Sequence, residues 1–295
     1  MLHSFLAGSL RRFRRIPLGF SFSDRCRLFR IAVLQGVPVA VRKRSAIFDS
    51  RLDSLTDELC SSTAIKVKSV IYALRDYEDL YVVDSESFVQ PWFQLKRGDV
   101  FVDLGSHVGK YAVLAAAIVQ KEGCVIAVEP NPESFKALEE NVKLNHLENV
   151  VAFNLAAWNR SEILKFSVAP LASQSSIDRN CSHHNSIDVL AKSMDQLLLH
   201  DLKLWRVDCI KIDVEKVEVE VLQGLEETLT RFKPNLILEV WDKNIPLVKE
   251  FLKRHGYNMI AISNKLGSTS EWCVYVFCTA AHLLRVASLA GHRSA

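Results

Sequence analysis

From residue 99 onward, short runs of β-branched and aromatic residues alternate with segments whose apolar positions recur every three to four residues. DVFVDL, CVIAVE, NVVAFNL, VDCIKID, NLILEV, YNMIAI and WCVYVFCTA read as strands. GKYAVLAAAIVQ, PESFKALEENVKLN, VEVLQGLEETLTRF and PLVKEFLKRHG read as helices. Such alternation implies parallel pairing through crossovers, and strands apolar along their whole length are buried on both faces. The pattern predicts an α/β fold with a seven-stranded, mostly parallel sheet covered by helices on both sides. Only NKLGSTSE joins the last two strands, too little for a crossover, so the last strand is expected antiparallel. Upstream, SLTDELCSS and IKVKSVIYALRDYEDL carry helical spacing, with Ile71, Leu74 and Leu80 among the apolar positions. Residues 1–80 are therefore predicted to be a mainly helical extension, 81–282 the α/β domain and 283–295 a tail. The segment 167–193 is long, polar and rich in serine, and is expected to be an inserted loop near substrate.

Composition adds bounds. A hydrophobic content of 49% with 24% charged residues describes a globular chain with ample core. The longest apolar run, Tyr111 to Val119, is half of what a membrane span needs. Arg11 and Arg12 interrupt the N-terminal apolar stretch before a signal peptide can form, so a cytoplasmic location is expected. The seven cysteines (26, 60, 124, 181, 209, 273 and 278) form no C-x-x-C pair and read as free thiols; His183-His184 reads as a solvated pair, and no metal site is expected. Residues 1–44 hold ten Arg and Lys against Asp24 alone, a charge of +9, while the rest of the chain carries −6. Such an arm suits phosphates or an anionic membrane face, and equally a solvated helical face.

The chemistry lies at the strand ends. DVFVDL ends on Asp103 and is followed by Gly105 and Gly109 in the spacing D-x-G-x-x-x-G. A dinucleotide fingerprint would have its first glycine where this chain has the carboxylate. An acid there repels a pyrophosphate but accepts hydrogen bonds from an ammonium group. Gly105 would allow close approach of the ligand, and Gly109 packing of the following helix on the strand. CVIAVE ends on Glu129, followed by Pro130 and Asn131, where a carboxylate normally accepts both ribose hydroxyls of an adenosine cofactor. An adenosine-bearing cation fits both acids, and S-adenosyl-L-methionine is such a ligand.

The stretch DCIKIDVEKVEVEVLQG, taken with VFVDLGSHVGKY, VIAVEPNPESFKALEENVKLN and NLILEVW, resembles the FkbM-type methyltransferases over about residues 80–280. The resemblance implies a Rossmann-like sheet and S-adenosylmethionine-dependent methyl transfer, several members acting on hydroxyls of sugars or polyketides. It also implies that Asp103, Gly105 and Gly109 frame the methionine end, Glu129 the ribose, and Ala156, Ala157 and Trp158 the adenine. Ser106 and His107 stand where Ala-Asn is common in the family, so contacts there are expected to differ. Where the family reads D-V-E-G-A-E, this chain has Asp213-Val214-Glu215-Lys216-Val217-Glu218, and lysine restricts a turn that glycine would permit.

Lys211, Asp213 and Glu215 alternate, so they share one face while the strand stays extended. A buried lysine needs a partner, and Asp213 or Glu239 would supply it. Asp213, Glu215 and Glu239 are the candidates for a general base acting on an acceptor hydroxyl. The expected partner is a small molecule or a glycan. An RNA substrate guided by the basic arm is the second reading, disfavoured because no recognisable RNA-binding module and no N-P-P-Y-type motif accompany it. A cofactor-binding protein without catalysis is the third.

Overall fold

The computed structural model describes residues 13–36, 46–84, 89, 92–169, 175–177, 186–261 and 272–279. The tail 283–295, His183, His184 and Cys181 lie outside them, as does much of the basic arm. The chain divides into two compact units: residues 1–85 with 140–146, and residues 86–139 with 147–295.

In the first unit, helix α1 (Phe22–Leu34) opens on a capping box, in which the Asp24 N–H donates to Ser21 Oγ at 3.1 Å and the Ser21 N–H donates back to the Asp24 carboxylate. It buries Leu28, Ile31 and Ala32. Helix α2 (Ala46–Ser61) follows. Then comes a departure from the helical reading of IKVKSVIYAL: β1 (Ala64–Val67) and β2 (Val70–Ala73) form an antiparallel hairpin, and only α3 (Tyr77–Asp84) is helical. The period here is two, because Ile65, Val70 and Tyr72 are buried while Lys66 is exposed. Residues 140–146 belong to this unit because Asn145 and Asn141 accept the N–H groups of Ile71 and Ala73, each at 2.8 Å.

The second unit carries β3 (Val100–Leu104), α4 (Lys110–Val119), β4 (Cys124–Val128), α5 (Pro132–Leu144, whose last turns belong to the first unit) and β5 (Val150–Phe153). Next are the strands β6 (Ala156–Trp158), β7 (Glu162–Ser167), β8 (Ser176–Ile177) and β9 (Ser186–Ser193). The chain continues through β10 (Cys209–Ile212), α6 (Glu218–Gln223), α7 (Glu226–Phe232), β11 (Asn235–Trp241), α8 (Ile245–Arg254), β12 (Tyr257–Ala261) and β13 (Trp272–Thr279). The main sheet has the order β12-β13-β11-β10-β3-β4-β5. Its five strands from β11 to β5 run parallel, and β13 pairs antiparallel with both β11 and β12. Strand order reverses between β3 and β10, with Asp103 in register with Lys211 across the boundary.

Two expectations are corrected in this unit. The polar segment 167–193 is not all loop: β8 and β9 pair with β7 and β6 in a second, four-stranded sheet. Val189 and Ala191 are buried in the core while Leu190 between them is exposed, an alternation masked by the serine-rich text around it. The stretch VEVLQGLEETLTRF is two helices, broken at Gly224, where an added Cβ would fall 1.9 Å from the Trp158 carbonyl oxygen. Of the free thiols, Cys60 and Cys209 are buried, Cys124 is half-buried and Cys26 is exposed.

Candidate active site

β3 ends in a tight turn through Gly105, His107 and Gly109, all with positive φ. A Cβ on Gly105 would lie 1.8 Å from the Asp213 carbonyl oxygen, so the absence of a side chain here admits the backbone that follows β10. On Gly109 a Cβ would lie 2.5 Å from Leu138 Cδ1, so the second glycine makes room for α5. Ser106 stitches the turn together: its hydroxyl donates to the Asp103 carbonyl at 2.8 Å and accepts the Val128 N–H at 3.1 Å.

Asp103 has no exposed surface, and neither carboxylate oxygen has a hydrogen-bond partner among the described residues. Lys211 Nζ is 3.9 Å away. Burial pushes the Asp103 carboxyl up to about 6, with Lys211 opposing and Asp213 adding to the rise. Lys211 also donates to Asp213 Oδ2 at 3.0 Å and lies over the Tyr111 ring. The pairing of this buried lysine with Asp213, one of the two partners the sequence offered, is thus in place.

Glu129, at the tip of β4, accepts the His107 N–H at 2.8 Å on one oxygen and the Asn131 N–H at 2.9 Å on the other. Burial pushes it up to about 7, the two N–H donors oppose the shift, and Asp103 and Asp213 add to it. The Asn131 side chain accepts the Glu133 N–H at the start of α5, and the Pro130 carbonyl accepts from Asn154. Ala156 and Ala157 lie on β6, buried in the core with Phe166 and Val189.

β10 stops at Ile212, and Glu215 and Lys216 take φ of +49° and +75°. The extended strand that would align Lys211, Asp213 and Glu215 is therefore broken before Glu215, which reaches the same place through a left-handed turn. Asp213, Glu215 and Glu239, from the ends of the adjacent strands β10 and β11, bring carboxylate oxygens within 4.8 Å of one another. Glu215 accepts the Trp241 Nε1–H at 2.8 Å, and burial followed by repulsion from Asp213 pushes it up to about 7.

Sequence reasoning gave Glu218 no role at the site, although it lies in the quoted motif. It is fully buried and accepts the backbone N–H groups of Lys216, at 3.3 Å, and Trp241, at 3.2 Å, and an Asn244 amide hydrogen. It thereby fixes the turn that carries Glu215. Its one sequence signal is an acid in the first turn of a helix directly after the strand-end motif.

Lys216 sits in a backbone region that glycine enters freely, and its ammonium lies 4.6 Å from the Trp241 ring centre. A non-glycine residue there costs about 1 kcal/mol, and the cation–π contact returns about 0.5–1 kcal/mol. Lys216→Ala keeps the strain and loses the contact, whereas Lys216→Gly loses both, so thermal unfolding should find the Gly variant more stable than the Ala variant by about 1 kcal/mol. An Ala variant at least as stable as the Gly variant would rule out this left-handed turn.

A sequence profile described as "Methyltransferase FkbM domain" matches residues 103–259, more than half of the chain. The hexuronic acid methyltransferase AglP of Haloferax volcanii is 27% identical over 136 residues, which is 46% of this chain and 54% of that protein. The tRNA (guanine(37)-N(1))-methyltransferase of Danio rerio is 43% identical over 58 residues, 19% of this chain and 11% of that protein. Among solved structures, the methyltransferase FkbM from Methylobacillus flagellatus aligns with 92% of this chain and 58% of its own, at 13% identity and a TM-score of 0.46.

Proposed function

This chain belongs to the FkbM methyltransferase family, and from that premise we propose that it transfers the methyl group of S-adenosylmethionine to a hydroxyl of a small molecule or glycan. The observation that carries the reading is the convergence of Asp213, Glu215 and Glu239 at the carboxyl ends of β10 and β11, beside the strand-order reversal. Ligands of open parallel sheets bind at such a reversal.

The chain's own residues fit the cofactor. Asp103 and Glu129 are buried acids on adjacent strands, both pushed up by burial, and the Asp103 oxygens have no hydrogen-bond donor among the described residues. A ligand bearing an ammonium group and vicinal hydroxyls relieves that state by donating to the ionised forms. Asp103 and the Gly105–Gly109 turn would hold the amino-acid end, and Glu129 the ribose. The loop Ser106-His107 and Pro130-Asn131 would border it, with Ala156 and Ala157 toward the adenine. Bound there, S-adenosylmethionine supplies an already activated methyl group.

The remaining task is to align an acceptor oxygen and remove its proton. Asp213, tied to Lys211, is the residue we assign to that proton; Glu215 and Glu239 stand within reach to share it. The AglP similarity supports a sugar acceptor. Methyl-labelled cofactor, incubated with the protein and a fractionated cell extract, tests the reading: label should enter a glycan or small-molecule fraction. Label in RNA would favour the second reading, toward which the short match to a tRNA methyltransferase points; cofactor bound without any labelled product would favour a non-catalytic binder.

Removing the Glu129 carboxylate should weaken cofactor binding about tenfold or more by calorimetry, given charge-assisted bonds worth about 1.5–3 kcal/mol. Because the ionised form accepts the hydroxyls, wild-type affinity should fall as pH drops through about 7. Glu129→Ala should lose the fall near 7 and keep only the one near 6 that Asp103 contributes, and equal affinity in both proteins would remove Glu129 from the site.

A further inference from the structure

Helix α1 presents two apolar faces. Leu28, Ile31 and Ala32 are buried within the first unit. On an adjoining side Phe22 (83% exposed), Phe29 (52%) and Val33 (50%) fall in one line at helical spacing, i, i+7 and i+11. Arg25 and Arg30 are exposed on either flank of that line. The Phe29 ring packs against Phe13, 5.8 Å between centres, and Arg14 beside Phe13 is exposed. A groove of about 420 Å³ continues the surface, lined by Phe29, Val33, Leu34, Leu55 and Leu59, with Arg30 and Glu58 at its polar edge. Exposed aromatic side chains gathered in this way are uncommon on a surface that meets only water.

From this geometry we infer that the α1 face of the first unit binds the surface of an anionic membrane. A helix with aromatic and aliphatic tips between arginines lies in the headgroup layer, apolar face inward, while the cations meet lipid phosphates. The charge agrees: residues 1–44 carry +9. No helix among the described residues is long and apolar enough to cross a bilayer, so the contact is peripheral. RNA would also meet the arginines, but it has no use for Val33, Leu55 and Leu59. The inference stands apart from the acceptor, since none of these residues belongs to the candidate active site.

Vesicle flotation of the full chain tests it. Vesicles containing about 30% phosphatidylglycerol should carry the protein up, neutral phosphatidylcholine vesicles should carry about tenfold less, and raised salt should weaken the binding. Phe22→Ser with Phe29→Ser should lower binding about tenfold or more, and Phe22→Ser alone, at a ring 83% exposed, should lower it at an unchanged melting temperature. Arg25→Gln with Arg30→Gln should lower it on anionic vesicles only. Failure to float with anionic vesicles, equal flotation of the serine variant, or tighter binding to RNA than to vesicles each overturns the proposal. So does a concentration-dependent dimer in sedimentation that the two serines abolish, because the face would then belong to a second copy.

Discussion

Asp213→Asn is expected to lower turnover about tenfold or more, with cofactor affinity within about twofold of wild type. The amide fills the same volume and can still accept from Lys211, which keeps Asp103 at 3.9 Å, so the fold and the turn at β3 should survive. The acceptor's proton then has no carboxylate at this position. The variant also changes its neighbour in a predictable direction. Repulsion from Asp213 is the second cause, after burial, of the rise in Glu215, so Glu215 should titrate lower once Asp213 is neutral. A base works when deprotonated, and activity therefore rises with pH through its pKa. If Glu215 carries the residual activity of the variant, that activity rises with pH through a Glu215 pKa lower than the value of about 7 it has beside an ionised Asp213, and Glu215→Gln in the same background abolishes it. Unchanged turnover in Asp213→Asn would reject Asp213 as the base and leave Glu215, pushed up to about 7, as the group to test next.

The strands of the main sheet were legible because each is a continuous run of β-branched and apolar residues: β3, β4 and β10 are buried almost throughout. The acids at their tips were legible for the same reason, since a carboxylate ending such a run must lie at the sheet edge. Which acids meet was less so. Glu239 joins Asp213 only because β11 lies beside β10, and one sequence can suggest such a neighbour but not fix it.

Conformation at the loops was the least legible. Glu215 and Lys216 take positive φ although neither is glycine, so no turn residue announces the bend. Buried Glu218 compensates with three hydrogen bonds, two of them from Trp241 and Asn244, supplied by a later part of the chain. The second sheet was hidden because two of its strands are only two and three residues long, and many side chains of the longer two are exposed or half-buried. The hairpin β1–β2 was hidden by a mixture of periods, two within it and helical just after it.

The glycines that flank β3 offer the largest expected loss of stability. Gly98, Gly105 and Gly109 share nearly the same left-handed φ, +78° to +84°, so an added methyl meets the same backbone strain at each, about 1–2 kcal/mol. Their surroundings differ. At Gly98 the nearest atom to the new carbon is 3.8 Å away, so strain alone remains. At Gly109 the carbon meets Leu138 Cδ1 at 2.5 Å, the tip of a side chain that can rotate at a further cost of about 1–3 kcal/mol. At Gly105 it meets the Asp213 carbonyl oxygen at 1.8 Å and the carbonyl carbon at 2.8 Å, both backbone atoms anchored by the Asp213 N–H bond to Leu104. The only relief is to part β3 from the end of β10, which removes that bond and opens the buried Lys211–Asp103 pair. Gly105→Ala should therefore lose about 4 kcal/mol or more, roughly 10 °C in melting temperature for a chain of this size, or fail to fold. The expected order of stability is Gly98→Ala above Gly109→Ala above Gly105→Ala. A Gly105→Ala protein as stable as Gly98→Ala would mean that the Asp213 backbone does not pack on this turn, and the alignment of the proposed base with the cofactor loop would lose its support.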